Sequence, residues 1–163
     1  MSRTKLGFII TCAALVVNLV MSMILVFAKN VSYPKATSTG WNVLIFKSDF
    51  FTSGFEVIGA VASVIFVLYL LASAGAIGSG ITGFLSKDSQ AIAKPLRSVT
   101  IGVYAGFVMV VLAVITLLIS SAIMTYDTYT TQYYWLLIPL VVALGGVMLI
   151  RREAKRPKDA DQA

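Results

Sequence analysis

The chain has 163 residues, 58% hydrophobic and only 12% charged, with a mean hydropathy of +0.90. Soluble domains carry about 25% charged residues, so this composition excludes an ordinary soluble domain, and the length leaves no room for a separate soluble enzyme. With no histidine and the single Cys12, imidazole catalysis, His-ligated haem and zinc sites are excluded as well. No cofactor or metal is expected.

The first apolar stretch, residues 6–28, follows Arg3 and Lys5. It is long enough for the roughly 20 helical residues that cross a bilayer and exceeds the roughly 7 to 15 of a signal-peptide core, so it reads as a retained span. Cys12 lies inside it and has no intrachain disulfide partner. Asn18, near its middle, calls for an interhelical hydrogen bond, or alternatively lines a polar pathway.

Residues 29–53 form a long first outer loop. Tyr33, Trp41, Phe46, Phe50 and Phe51 give it an apolar load beyond that of a solvated linker. The run "GWNVLIFKSDFF" reads as a strand or hairpin or as an interfacial segment, contacting either headgroups or a partner subunit. Asn30-Val31-Ser32 is a formal glycosylation sequon beside the membrane.

The second span is expected over 55–81, with apolar sequence continuing to 85. At its outer start, Ser53-Gly54-Phe55-Glu56 fits a capping box, and Glu56 is alternatively an ion-relay carboxylate. Further on, "ASAGAIGSGITG" contains Gly78, Gly80 and Gly83 at dinucleotide-fingerprint spacing. That reading requires a preceding strand and an acid about 20 residues later. Here the preceding run has helix length, and the corresponding downstream region is inside the third span. Small residues instead recur in two helical rows, Gly75, Ser79 and Gly83 beside Ala72, Ala76 and Gly80. In lipid such rows let helix backbones approach closely, so they read as a packing seam towards a helix of this chain or of another subunit. Unwinding after Ala76 or Gly80 is the other expectation.

Lys87, Asp88, Lys94 and Arg97 share the loop over 86–98, where such charges read as solvated rather than as a lipid-modifying centre. The third span, 99–124, contains Thr100, Thr116, Ser120 and Ser121, which bond back to their own helix. The fourth, 134–150, is bounded by Tyr133, Tyr134 and Trp135 at one end and Arg151 and Arg152 at the other, with Pro139 kinking it or sitting in its first turns. Glycine-rich helices resemble those of rotor proteolipids of ion-driven ATPases, but spans three and four lack the carboxylate that family needs.

Ten of the thirteen Lys and Arg residues fall in the N-terminus, the 86–98 loop and the tail. This bias predicts a multi-pass cell-membrane protein with both termini cytoplasmic. The +6 net charge is split among short segments without interleaved aromatics, so nucleic acid is not an expected partner. The fold expected is an all-α integral membrane protein with a four-helix transmembrane domain over 1–150 and a basic tail over 151–163. In topology it resembles claudins and tetraspanins, but the paired loop cysteines and the G-L-W run of the first and the C-C-G of the second are absent.

Abundant packing features with almost no chemistry predict a non-catalytic accessory, assembly or stabilising subunit. Its expected partners are membrane lipids and other membrane subunits. A small transporter or homo-oligomeric channel using Glu56 and Asn18 is the alternative.

Overall fold

A computed structural model describes residues 2–27, 31–33, 36–38, 56–86, 90–124 and 135–154. Four helices dominate: α1 (Arg3–Phe27), α2 (Glu56–Leu85), α3 (Ala93–Met124) and α4 (Leu137–Ala154). Three have segments long and apolar enough to cross a membrane, Arg3–Phe27, Gly59–Leu85 and Ala93–Ile115. The fourth is short, 18 residues ending in a turn that carries Arg151 and Arg152.

One short hairpin departs from the all-α expectation. Strand β1 (Val31–Tyr33) pairs antiparallel with β2 (Ala36–Ser38), Val31 opposite Ser38 and Tyr33 opposite Ala36. It precedes the 40–51 run, whose sequence reads as a strand or hairpin or as an interfacial segment. That run lies outside the described residues, as do Trp41, Phe46, Phe50 and Phe51.

Helix boundaries differ from those of the apolar runs because a helix needs only its backbone ladder. α3 starts at Ala93, six residues before the apolar run at Val99, after a 3-10 turn over Gln90–Ile92. Pro95 falls in the first turn, where its missing N–H removes no ladder bond, and Lys94 and Arg97 are exposed. Pro139 occupies the equivalent place in α4. The glycines of α2 do not end it. The helix continues through Gly75, Gly78, Gly80 and Gly83 to Leu85, correcting the expectation of unwinding. At 30 residues it is about 45 Å long, more than the roughly 30 Å hydrocarbon core.

The helices form a ring in which α1 packs on α2 and α4, and α3 packs on the same two, with little contact across either diagonal. Neighbours run antiparallel: Phe8 meets Gly83 while Ser22 meets Tyr69, and Gly7 meets Gly146 while Asn18 meets Leu136. This brings Arg3 of α1 within 3.6 Å of Glu153 of α4, and Lys5 Nζ to 5.6 Å from the centre of the Phe84 ring on α2. The basic ends of the described helices therefore gather at one end of the bundle.

Near that end Phe8, Leu15, Ala76, Val99, Val147 and Ile150 form one buried cluster, and Val26, Ala62, Phe66, Tyr69 and Met109 form another towards the opposite end. Large apolar side chains such as Val57, Leu71 and Leu118 point outward. In water that surface would be costly, whereas hydrocarbon is as apolar as the side chains themselves.

Candidate functional site

Asn18, Ser22 and Tyr69 meet in the interior between α1 and α2, each at most 2% exposed. The Tyr69 phenol donates to Asn18 Oδ1 at 2.8 Å, and the Asn18 amide donates through Nδ2 to the Leu136 carbonyl at 3.1 Å. Flipping the amide would set oxygen against the carbonyl and leave the phenol facing an amide donor, so the network fixes its orientation. Ser22 Oγ lies 3.0 Å from Tyr69 Oη. Since the phenol has one proton and gives it to Asn18, Ser22 is the donor in that contact.

The network joins α1, α2 and the turn that opens α4. Gly106 of α3 comes so close that an added Cβ would lie 3.5 Å from Asn18 Oδ1. The Leu136 carbonyl belongs to the turn that opens α4, next to Pro139, which supplies no N–H to the ladder. Ser73, one turn beyond Tyr69, is equally buried, and among the described residues its hydroxyl has no hydrogen-bond partner within 3.5 Å. Thr100 bonds back to the Leu96 carbonyl at 2.7 Å.

Two seams of small residues flank this knot. On α2, Gly80 faces the Cys12 sulfur and Gly83 lies under the Phe8 ring, whose Cζ would be 2.6 Å from an added Cβ. Ala76 packs against Gly102 of α3, and the Ala72 carbonyl would be 3.3 Å from a Cβ there. The second seam joins α1 to α4. A Cβ on Gly7 would lie 2.9 Å from the Gly146 carbonyl, and one on Gly146 would lie 2.9 Å from the Gly7 carbonyl. Backbone touches backbone at this crossing, and Thr11 Oγ1 donates to Gly7 O at 2.8 Å, with a longer 3.4 Å approach to Ala143 O.

Compared with protein-family models, curated proteins and solved structures, this chain matches none.

The α2 residues read as one seam are thus divided by the fold. Ala76, Gly80 and Gly83 are buried against α1 and α3, and Ala72 and Ser79 are half-buried. Gly75 is exposed, with nothing within 4 Å of an added Cβ, and so is Gly78. Glu56 begins α2, but the Ser53–Glu56 cap lies outside the described residues, and Tyr33 sits in β1. Among the described residues no group of His, Cys, Asp and Glu is placed to hold a metal.

Sequence reasoning missed Ser22, Tyr69 and the Gly7–Gly146 crossing. A signal was present on α1, where Gly7, Thr11, Ala14, Asn18 and Ser22 recur every three or four residues and are all buried. Tyr69 falls on a like stripe of α2, with Phe66, Ser73, Ala76, Gly80 and Gly83, all buried, but its hydrogen-bond partners come from another helix.

Proposed function

We propose that this protein is a non-catalytic, four-pass membrane protein acting as an accessory, assembly or stabilising subunit of a larger membrane complex. α4 supplies the fourth pass, and the gathered basic ends face the cytoplasm under the positive-inside bias. The docking face is the outer side of α2 and α3.

The observation that carries this reading is the exposure of Gly75 and Gly78. A glycine inside a helix costs up to about 1 kcal/mol relative to alanine. Gly80 and Gly83 recover that cost by admitting Cys12 and Phe8, whereas Gly75 and Gly78 admit nothing among the described residues. A helix from another subunit laid across them would gain the close backbone approach that drives association in lipid. Ser98 Oγ, 3.4 Å from the Gly75 carbonyl, and the exposed Ile101 lie on the adjoining face of α3.

Transport would call on Asn18, whose side chain is engaged with Tyr69 and Leu136 inside the bundle. That engagement supports a structural role over a conducting one.

The test is native mass spectrometry of the protein drawn from its own membrane in mild detergent, as wild type and as Gly78→Leu. A defined assembly with other polypeptides is expected for the wild type, with its loss in the variant while helicity and melting are retained. A lone monomer, or an assembly indifferent to Gly78→Leu, overturns the reading. A homo-oligomer would instead direct the next experiment to liposome flux with Glu56→Gln.

A further inference from the structure

Where α3 meets α4, a hollow of about 70 Å³ has the buried Val103 and Val147 in its lining together with three polar side chains, Thr100, Tyr104 and Arg151. It straddles the boundary at which both apolar runs give way to polar sequence. Thr100 adjoins Val99, where the run on α3 begins, and Arg151 follows Ile150, where the run on α4 ends. We propose that this hollow is a phosphate site, in which Arg151 and Tyr104 hold the phosphodiester of a membrane phospholipid.

The hollow holds donors and lacks an acceptor for them. Among the described residues, Arg151 joins no ion pair and the Tyr104 phenol makes no hydrogen bond. The Thr100 hydroxyl has given its proton to the Leu96 carbonyl at 2.7 Å. No Asp or Glu lines the hollow. Glu153 lies two residues beyond Arg151, about 200° round the helix, where it meets Arg3. A guanidinium is a fork that matches two phosphate oxygens, and a phenol proton can reach a third.

Tyr104 stands five residues into the apolar run, about 8 Å of helix. It is more than half exposed, on a segment long and apolar enough to cross a membrane, so its ring faces lipid. A helical side chain leans towards its own N-terminus, and on α3 that is the end where Arg151 lies. The phenol is thereby directed to the headgroup level, where lipid phosphates are the acceptors on offer.

Position and size choose between a lipid phosphate and a free one. A free anion would gain nothing from the apolar part of the lining, which includes Leu144 and Met148, or from a place at the bilayer boundary. At roughly 30 Å³ per water, the hollow admits one compact polar group. The phosphate therefore enters it and the acyl chains remain in the bilayer.

The full-length protein in detergent would be titrated with phosphatidylglycerol and, separately, with diacylglycerol of identical chains, which lacks the phosphate. Retained lipid is read by native mass spectrometry, and preferential retention of one phosphatidylglycerol per protomer is expected. Arg151→Gln and Tyr104→Phe should each weaken it at least about tenfold, the scale of a hydrogen bond to a charged group, with helicity and melting unchanged. Arg152→Gln removes the same charge one residue away, outside the hollow, and should cost at most the roughly fivefold of diffuse attraction to a surface. Equal retention of the two lipids overturns the proposal, as does indifference to Tyr104→Phe. Equal losses from Arg151→Gln and Arg152→Gln also overturn it, because retention then reports basic charge in general. Inorganic phosphate in tenfold excess should leave the lipid bound; displacement by it makes this a free-anion site and overturns the lipid assignment.

Discussion

Gly145 and Gly146 are adjacent in α4 yet face different surroundings, so adding one methyl group to each tests the α1–α4 crossing directly. Besides colliding with the side-chain oxygen of Thr11, the new Cβ at Gly146 would sit 2.9 Å from the Gly7 carbonyl and 3.1 Å from the Thr11 amide nitrogen. Both are backbone atoms of α1, so relief requires the helices to part. Restoring the shorter contact to an ordinary 3.4 Å takes about 0.5 Å, a gap that forfeits about a quarter of each van der Waals well along the seam. Overpacking of this kind costs about 1–3 kcal/mol, and the better helix propensity of alanine returns at most about 1 kcal/mol. With alanine's propensity returning its full amount, Gly146→Ala should therefore destabilise the bundle by up to about 2 kcal/mol. At Gly145 the methyl meets nothing within 4 Å, so Gly145→Ala should be neutral or stabilising by up to about 1 kcal/mol. Reversible unfolding in mixed detergent–SDS micelles, followed by circular dichroism, measures both. Equal stabilities, or Gly146→Ala the more stable, would refute the close backbone crossing.

The polar knot makes further predictions. Asn18→Ala strips the Tyr69 phenol of its acceptor and the Leu136 carbonyl of a donor; at about 0.6–1.7 kcal/mol per interhelical bond in a membrane, the loss should be about 1–3 kcal/mol in the same unfolding assay. Tyr69→Phe should cost about 1 kcal/mol, and the double variant less than the sum by at least about 0.5 kcal/mol, since both remove one shared bond; strict additivity would dissolve the network. Ser73→Ala removes a buried hydroxyl with no hydrogen-bond partner within 3.5 Å among the described residues, so it should leave stability unchanged or raise it; a loss of more than about 1 kcal/mol would mean that the hydroxyl is bonded, the Tyr69 phenol being the nearby candidate. Gly83→Ala should cost less than Gly146→Ala, because the Phe8 ring tip can swing aside where a backbone carbonyl cannot; chemical-shift changes at the Phe8 ring should accompany it.

The four helices were legible because each is an apolar run bounded by charged or aromatic residues, and lipid tolerates a spanning backbone only when it satisfies its own hydrogen bonds. Positions in those runs were less legible. α3 begins six residues before its apolar run, since Lys94 and Arg97 are as compatible with an exposed first turn as any apolar residue. The hairpin at residues 31–38 has only three residues per strand, too few for an alternation pattern to declare itself.

Asn18 stands out in sequence because an amide in the middle of an apolar span needs a partner wherever it lies. That the partners are Tyr69 and Leu136 was decided by tertiary structure, since the residues are 51 and 118 positions away in the chain. The glycine-rich segment of α2 shows the same division. Composition and spacing marked it for close packing, because small residues at intervals of four share a helix face. Which face is buried depends on how α2 is rotated between α1 and α3. Only that rotation gives Gly80 to Cys12 and Gly83 to Phe8, and leaves Gly75 and Gly78 facing outward.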